Sequence, residues 1–153
     1  MAKFIYKMQS VLNVKEKMEE QAKMEFAFAM AKLDEEQERL LQLQEKRKYY
    51  EEEGARLRMA VLDTLKMKEN EAAIEYVKEE IVRQKRAAKK AEEELEKARE
   101  KLQEYMMERK THEKLKENAF EVFKQEINRE ESKEVDELTS YVYGKRIIDG
   151  EGT

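Results

Sequence analysis

The sequence has no proline, cysteine or tryptophan, and only four glycines and one histidine in 153 residues. The absence of cysteine excludes disulfides and thiolate metal sites and fits a reducing compartment. One histidine, His112, cannot build a histidine-based metal site, and a catalytic role would also need an orienting partner and a nucleophile. No glycine-rich phosphate loop, His-Glu-x-x-His run or EF-hand loop occurs. We therefore predict a protein that is not an enzyme and has no catalytic residue, metal or cofactor.

The charged residues are abundant but balanced in sign. They make up 44% of the chain, against about 25% in a typical globular domain, and the net charge is only -4. No overall cationic field exists to attract nucleic acid or anionic lipid. The basic cluster at residues 85–90 is the best candidate for phosphate binding, but carboxylates precede and follow it, which is typical of an exposed charged helix face. We predict no nucleic-acid partner.

Long apolar runs are also absent. No stretch approaches the roughly 18 residues needed to cross a bilayer, and the opening residues 1–10 lack the apolar core of a signal peptide. These features predict a cytoplasmic protein with no direct membrane insertion.

What the sequence does contain is a regular apolar spacing in its second half. Positions recur there at alternating steps of three and four, and ten of the twelve are apolar or aromatic. This heptad seam predicts a helix that buries one narrow stripe against a partner helix. The seam positions are Met67, Asn70, Ile74, Val77, Ile81, Gln84, Ala88, Ala91, Leu95, Ala98, Leu102 and Tyr105.

The first half carries a matching stripe with one irregularity. An additional four-residue step from Ala22 to Phe26 shifts the heptad phase, which is a stutter that locally unwinds a left-handed supercoil. The positions are Phe4, Met8, Val11, Lys15, Met18, Ala22, Phe26, Ala29, Leu33, Glu36, Leu40, Leu43, Arg47 and Tyr50.

These two stripes predict an all-α fold: an elongated antiparallel two-helix coiled-coil hairpin, with a bent or short-helical connection near the middle. As one coiled-coil domain, 1–153, it has a first arm over about 3–53, a connection over about 54–70, a second arm over about 71–143 and a flexible tail at 144–153. The boundaries rest on Gly54 and Gly144, because glycine is favoured just past a helix end. Antiparallel pairing of the arms is expected to bring Met8 and Val11 close to Val135, Leu138 and Val142, so that the two termini meet at one tip. The alternative is a helix that continues through Gly54 and pairs with another molecule.

Both ends of the chain resemble the FliJ family of flagellar type III export proteins, and the similarity covers nearly its full length. The opening FIYKMQSVLNVK, residues 4–15, is similar to the family's aromatic-x-aromatic-x-x-Gln-x-x-Leu start. The closing ESKEVDEL, residues 131–138, is similar to its Glu-x-Lys-x-x-Asp-Glu terminus.

This resemblance implies a non-enzymatic stalk or adapter of the flagellar export ATPase complex. Members of the family are antiparallel coiled coils, similar to the stalk of rotary ATPases, that promote assembly of the ATPase ring and contact the membrane export gate protein. Some also bind export chaperones. Such a protein is cytoplasmic and reaches the inner membrane through its partners. The alternative function is a generic coiled-coil spacer or dimerising scaffold in another cytoplasmic assembly.

The resemblance also implies two partner-binding groups. By analogy with the rotary stalk, the paired terminal tip would enter the ATPase ring, and the start of the second arm would face the export gate. Relatives carry a phenylalanine and a leucine in the gate-facing strip, from which this chain departs. The predicted residues are Phe4, Met8, Val11, Val135 and Leu138 at the tip, and Tyr76, Val77, Ile81 and Gln84 at the gate.

Overall fold

The computed structural model describes residues 2–151, which form two long helices. Helix α1 spans Gln9–Met59 and helix α2 spans Thr64–Glu151, and no strand occurs in the described residues. The two helices are antiparallel, so the predicted all-α hairpin is confirmed. A helix of 88 residues is possible because the sequence has no proline to remove a backbone hydrogen bond.

The chain reverses direction over residues 60–63. Asp63 ends this connection, and its Oδ1 accepts hydrogen bonds from the backbone N–H groups of Leu65 at 3.1 Å and Lys66 at 3.2 Å. An aspartate in this position caps the N-terminus of a helix by satisfying donors that have no partner within it. The reversal is therefore much shorter than the connection predicted over 54–70.

Gly54 lies inside α1 and does not end it. A Cβ atom added there would lie 2.5 Å from Oδ1 of Asn70 on α2. The Nδ2 of that asparagine donates a hydrogen bond of 2.9 Å to the carbonyl oxygen of Tyr50. Glycine thus allows a close approach of the two helices, and the helix continues for five further residues, to Met59.

The residues divide into two units, which we describe separately. The loop unit is Met18–Met106 and contains the reversal, whereas the terminal unit combines the beginning of the chain, up to Lys17, with the part from Met107 onward. In the loop unit, Glu25 and Lys101 form an ion pair of 2.9 Å across the two helices. Its core is small and includes two buried carboxylates, Glu19 and Glu36. The buried apolar residues are Ala22, Val77, Ile81, Ala88 and Ala91.

The predicted seam agrees with the burial pattern. All twelve α2 seam positions are buried or half-buried, and so are those of the first stripe except Met8. The stutter is visible as well, because Ala22 and Phe26 both face inward across the additional step. The spacing of three and four residues therefore located the helix–helix interface correctly.

The terminal unit departs from the predicted register. Residues 2–8 precede α1, and the Phe4 ring packs against the rings of Phe120 and Phe123, with centroid distances of 5.1 and 5.3 Å. Lys15 pairs with Glu108 at 3.0 Å. The predicted pairing of Met8 and Val11 with residues 135–142 is wrong, because antiparallel register is counted from the reversal, which lies at 60–63.

The last section of α2 is also more regular than predicted. Gly144 has helical backbone with no positive φ, and the helix runs on through residue 151. A single helical glycine costs only about 1 kcal/mol, so it does not by itself end a helix. Of the predicted flexible tail at 144–153, residues 144–151 are helical, and residues 152–153 lie outside the described part of the chain.

Candidate partner-binding surfaces

The four predicted gate residues lie in different environments on α2. Val77 and Ile81 are 1% and 5% exposed, so both belong to the core of the loop unit, whereas Tyr76 is 57% exposed. A hydrogen bond to Glu80, together with the charge of that carboxylate, raises the pKa of the Tyr76 phenol. Tyr76 is thus a neutral, accessible member of the group, and a partner could reach Val77 or Ile81 only if the helices separated locally.

Gln84, the fourth gate residue, binds the opposite helix. Its Nε2 donates a 2.9 Å hydrogen bond to the carbonyl oxygen of Glu36 and a second hydrogen bond to the carboxylate of the same residue. Glu36 is buried, and Lys32 Nζ lies 3.1 Å from its Oε1. The hydrogen bond from Gln84, followed by that from Lys32, holds the pKa of Glu36 below its ordinary value. A satisfied polar pair in an apolar seam fixes register, so Gln84 positions the helices.

The five predicted tip residues separate into two groups. Phe4 and Val11 are half-buried and Met8 is 48% exposed, all at the beginning of the chain. Val135 and Leu138 are 59% and 65% exposed. They follow Phe123, which packs on Phe4, by at least twelve residues of helix, or about 18 Å of rise. The structure therefore does not bring the two groups together.

The far section of α2 carries an apolar stripe that no other helix of the described residues covers. Residues 128–143 are all exposed, and Val135, Leu138 and Val142 recur among them at steps of three and four. We call these three residues the C-terminal stripe. Such spacing is typical of a helix that lies in a groove or against another helix, so this section is a candidate binding surface.

A cleft of about 500 Å³ lies beside the stutter in the loop unit. Alanine side chains at positions 87, 91 and 98 leave the space, and Phe28, which is 74% exposed, stands next to it. The sequence signal was the series of small residues in the α2 seam. Lysine and glutamate side chains of both helices border the cleft, so its rim has mixed charge.

A comparison with models of protein families assigns the chain to a family. The family model described as "Flagellar FliJ protein" matches residues 4–147. This protein belongs to the FliJ family. No curated protein and no solved structure matches it. FliJ is a non-enzymatic component of the flagellar export apparatus, so the match confirms the resemblance and assigns the chain a role in flagellar protein export.

Two further features of this FliJ family member lie outside the predicted groups. The first is the loop cluster, consisting of Met59, Val61, Leu62 and Leu65 around the reversal, with exposed fractions of 92%, 93%, 74% and 67%. Val61 and Leu65 are four residues apart, a spacing that also occurs on the buried face of a helix. The second is His112, whose Nδ1 is buried without a hydrogen-bond partner in the described structure.

Two kinds of feature are absent from the described residues of this FliJ chain. None of its helices is long and apolar enough to cross a membrane. Its histidine, aspartate and glutamate side chains form no group of three that could hold a metal ion within the described residues.

Proposed function

We propose that this protein is a non-enzymatic stalk and adapter of the flagellar type III export ATPase complex, where it promotes assembly of the ATPase ring and couples the ring to the membrane export gate. The supporting observation is the family match over residues 4–147 on a chain that forms an antiparallel helical hairpin. A supercoiled pair of helices resists bending better than a flexible linker. Contacts that differ between the states of two partners would bias those states without hydrolysis by the adapter itself.

On the ring side, the proposal assigns binding to the beginning of the chain and to the C-terminal stripe. Phe4, Met8 and Val11 lie in the terminal unit, and Met8 is accessible. Val135 and Leu138 present an exposed apolar face that needs a cover. The same stripe offers export chaperones a helix face with anchors at steps of three and four.

On the gate side, the proposal centres on Tyr76. This side chain is accessible, whereas Val77 and Ile81 are buried between the helices. The alanines at 88 and 91 make the neighbouring seam small, so local separation of the helices there exposes less apolar area than a leucine seam would. Gln84 would contribute by holding the register on which the position of Tyr76 depends.

The test is whether the purified chain binds a flagellar export ATPase and raises its hydrolysis rate. Replacing Val135 and Leu138 together by glutamate should remove both effects, because it places two charges on the C-terminal stripe. The matched control replaces Val82 and Val122, which are 50% and 53% exposed on α2, by glutamate. It should leave both effects intact. If the unaltered chain neither binds the ATPase nor raises its hydrolysis rate, the proposal is refuted.

Sedimentation distinguishes the alternative, a generic dimerising spacer. An isolated hairpin should sediment as a monomer of 18.4 kDa, because its seam is already filled by its own two helices. A stable dimer that shows no response to the ATPase would favour the spacer.

A further inference from the structure

The loop cluster combines unusually exposed apolar side chains with a short reversal over residues 60–63. Val61 and Met59 are the two most exposed large apolar side chains of the described chain, at 93% and 92%. Leu62 and Leu65 add two more on the connection and the first turn of α2. Contiguous exposed apolar groups of this kind mark binding sites, since leaving them in water gives no stability. The cluster lies within the loop unit and needs no helix to open.

The residues nearest to the cluster are mostly basic, and acidic residues flank them at 51–53 and at 69 and 71. Between Ala55 and Lys68 the chain has four basic residues and one acidic residue, Asp63. The Asp63 carboxylate is committed to the N-terminus of α2, where it accepts two backbone hydrogen bonds. Arg56 is paired with Glu53 at 3.3 Å.

Three cations therefore remain available beside the apolar side chains: Arg58, Lys66 and Lys68 have no ion pair within the described residues. Salt screens charges more than about 8 Å apart at physiological ionic strength. These three cations are thus the charges nearest to a partner at the reversal, whereas the flanking carboxylates at 51–53, 69 and 71 lie at least one helical turn from the loop cluster.

An apolar group beside free cations matches one kind of surface best. The interface of an anionic bilayer accepts apolar side chains at the boundary of its acyl chains and attracts lysine and arginine to its headgroups. The four apolar side chains project into solvent from three different backbone environments. A fluid interface can cover all four at once, whereas a rigid protein groove must be shaped to each.

We propose that the loop cluster, together with Arg58, Lys66 and Lys68, is an interfacial anchor that docks on the surface of an anionic lipid bilayer. The contact is interfacial and spans nothing. It goes beyond the proposed adapter function, in which the membrane is reached through the gate protein, and it revises the sequence-based expectation of no direct membrane insertion. It does not depend on the ATPase.

The test is co-sedimentation of the full chain with vesicles of phosphatidylcholine containing a minority of phosphatidylglycerol, beside vesicles of phosphatidylcholine alone. We expect binding to the anionic vesicles that weakens as salt is added. Each basic residue near such a surface contributes about fivefold in partitioning. Replacing Arg58, Lys66 and Lys68 together by glutamine should therefore lower the partition constant by about a hundredfold.

A charge-matched control separates this site from the other basic cluster of the chain. Replacing Lys85, Arg86 and Lys89 by glutamine removes the same charge from an exposed face of α2, and it should change partitioning by less than about twofold. If this control lost binding as strongly as the loop variant, the anchor would be misplaced and the proposal overturned.

The contribution of the apolar side chains to membrane binding is tested with a second matched pair of variants. Replacing Val61 and Leu62 by serine should lower partitioning at least about tenfold, because two apolar side chains no longer enter the interface. Replacing Met24 and Phe28 by serine is the control, since these side chains are 73% and 74% exposed on α1. It should leave partitioning unchanged. All four positions are at the surface, so helix content by circular dichroism should be the same in every variant.

Three outcomes would contradict the lipid-anchor proposal. The proposal is overturned if the unaltered chain does not bind to anionic vesicles. It is also overturned if both loop variants bind to these vesicles as strongly as the unaltered chain does. Binding of the loop cluster to an acidic protein surface with no binding to vesicles assigns it to a protein partner and also overturns the lipid anchor. ATPase stimulation by the loop variants should be intact in solution, so failure of the anchor is distinguishable from failure of the adapter function.

Discussion

The close approach of the helices at Gly54 allows a sharp test of what holds the loop unit together. The perturbation is Gly54→Ala. In an ordinary exposed helix this change stabilises by about 1 kcal/mol, because glycine loses more backbone entropy on folding than alanine. Here the new Cβ would meet Asn70 Oδ1 at 2.5 Å, so the asparagine side chain must move.

The magnitude follows from what Asn70 loses. Displacing its amide breaks the 2.9 Å hydrogen bond to the Tyr50 carbonyl oxygen, which contributes about 1 kcal/mol, and leaves a part-buried polar group unpaired at a further cost of about 1 kcal/mol. The expected net effect of Gly54→Ala is a loss of about 1 kcal/mol in the free energy of unfolding. In a chain that already carries Asn70→Ala there is no amide to displace, and the same change should stabilise by about 1 kcal/mol.

The assay is urea unfolding, followed by circular dichroism, of the unaltered chain, the two single variants and the double variant. The double-mutant cycle should give a coupling energy of about 2 kcal/mol between residues 54 and 70. Gly144→Ala is a useful control because nothing lies within 4 Å of a Cβ built there, so it should not destabilise. If Gly54→Ala stabilised equally in both backgrounds, glycine would not be required for this contact and the account of residue 54 would be refuted.

Two further predictions concern the α2 seam and its polar pair. Val77→Ala should lower the free energy of unfolding by about 2 kcal/mol because Val77 is 1% exposed, whereas Val82→Ala at a 50% exposed site should change it by less than about 0.5 kcal/mol, as measured by urea titration. For Glu36, the folded pKa lies below the ordinary value of 4.5, so its stabilisation is present above about that pH and is lost as pH falls through the folded pKa. Thermal unfolding across the acid range should therefore show a steeper loss in the unaltered chain than in Glu36→Gln, and parallel curves would contradict the assignment.

The seam was predictable because it depends on a repeated pattern. Twelve α2 positions share one spacing, so a single misleading residue such as Gln84 does not hide the period. The stutter between Ala22 and Phe26 was found for the same reason. Burial then follows from the period, since only one stripe of each helix can face its neighbour.

The connection was predicted too long because its boundaries depend on single residues whose roles are ambiguous. Glycine is favoured after helix ends, and Gly54 was interpreted that way, but glycine also serves where another element approaches closely. The more informative residue was Asp63, an N-cap side chain immediately before Thr64. The midpoint of the predicted connection was right, and the partners of Met8 and Val11 were wrong for another reason: the prediction matched the two ends of the chain, although α2 has 88 residues and α1 has 51.

The candidate surfaces were harder to predict than the fold. Exposure of the C-terminal stripe depends on where α1 begins, and exposure of the loop cluster depends on where the helices end. Neither is encoded in the local pattern, because Val61 and Leu65 have the same spacing as core residues. Only the register decides which apolar residues find a partner within the chain.

The polar pair in the seam has a mechanical consequence for the loop unit. Two helices can transmit a displacement by shear, in which one slides along the other, or by moving as a single body. Sliding by one heptad would place Val77 or Ala91 where Gln84 now donates to Glu36, and would leave a buried carboxylate without its amide donor. Shear is therefore opposed at this point, and a push or torque applied at the reversal is carried through residues 18–106 without a change of register.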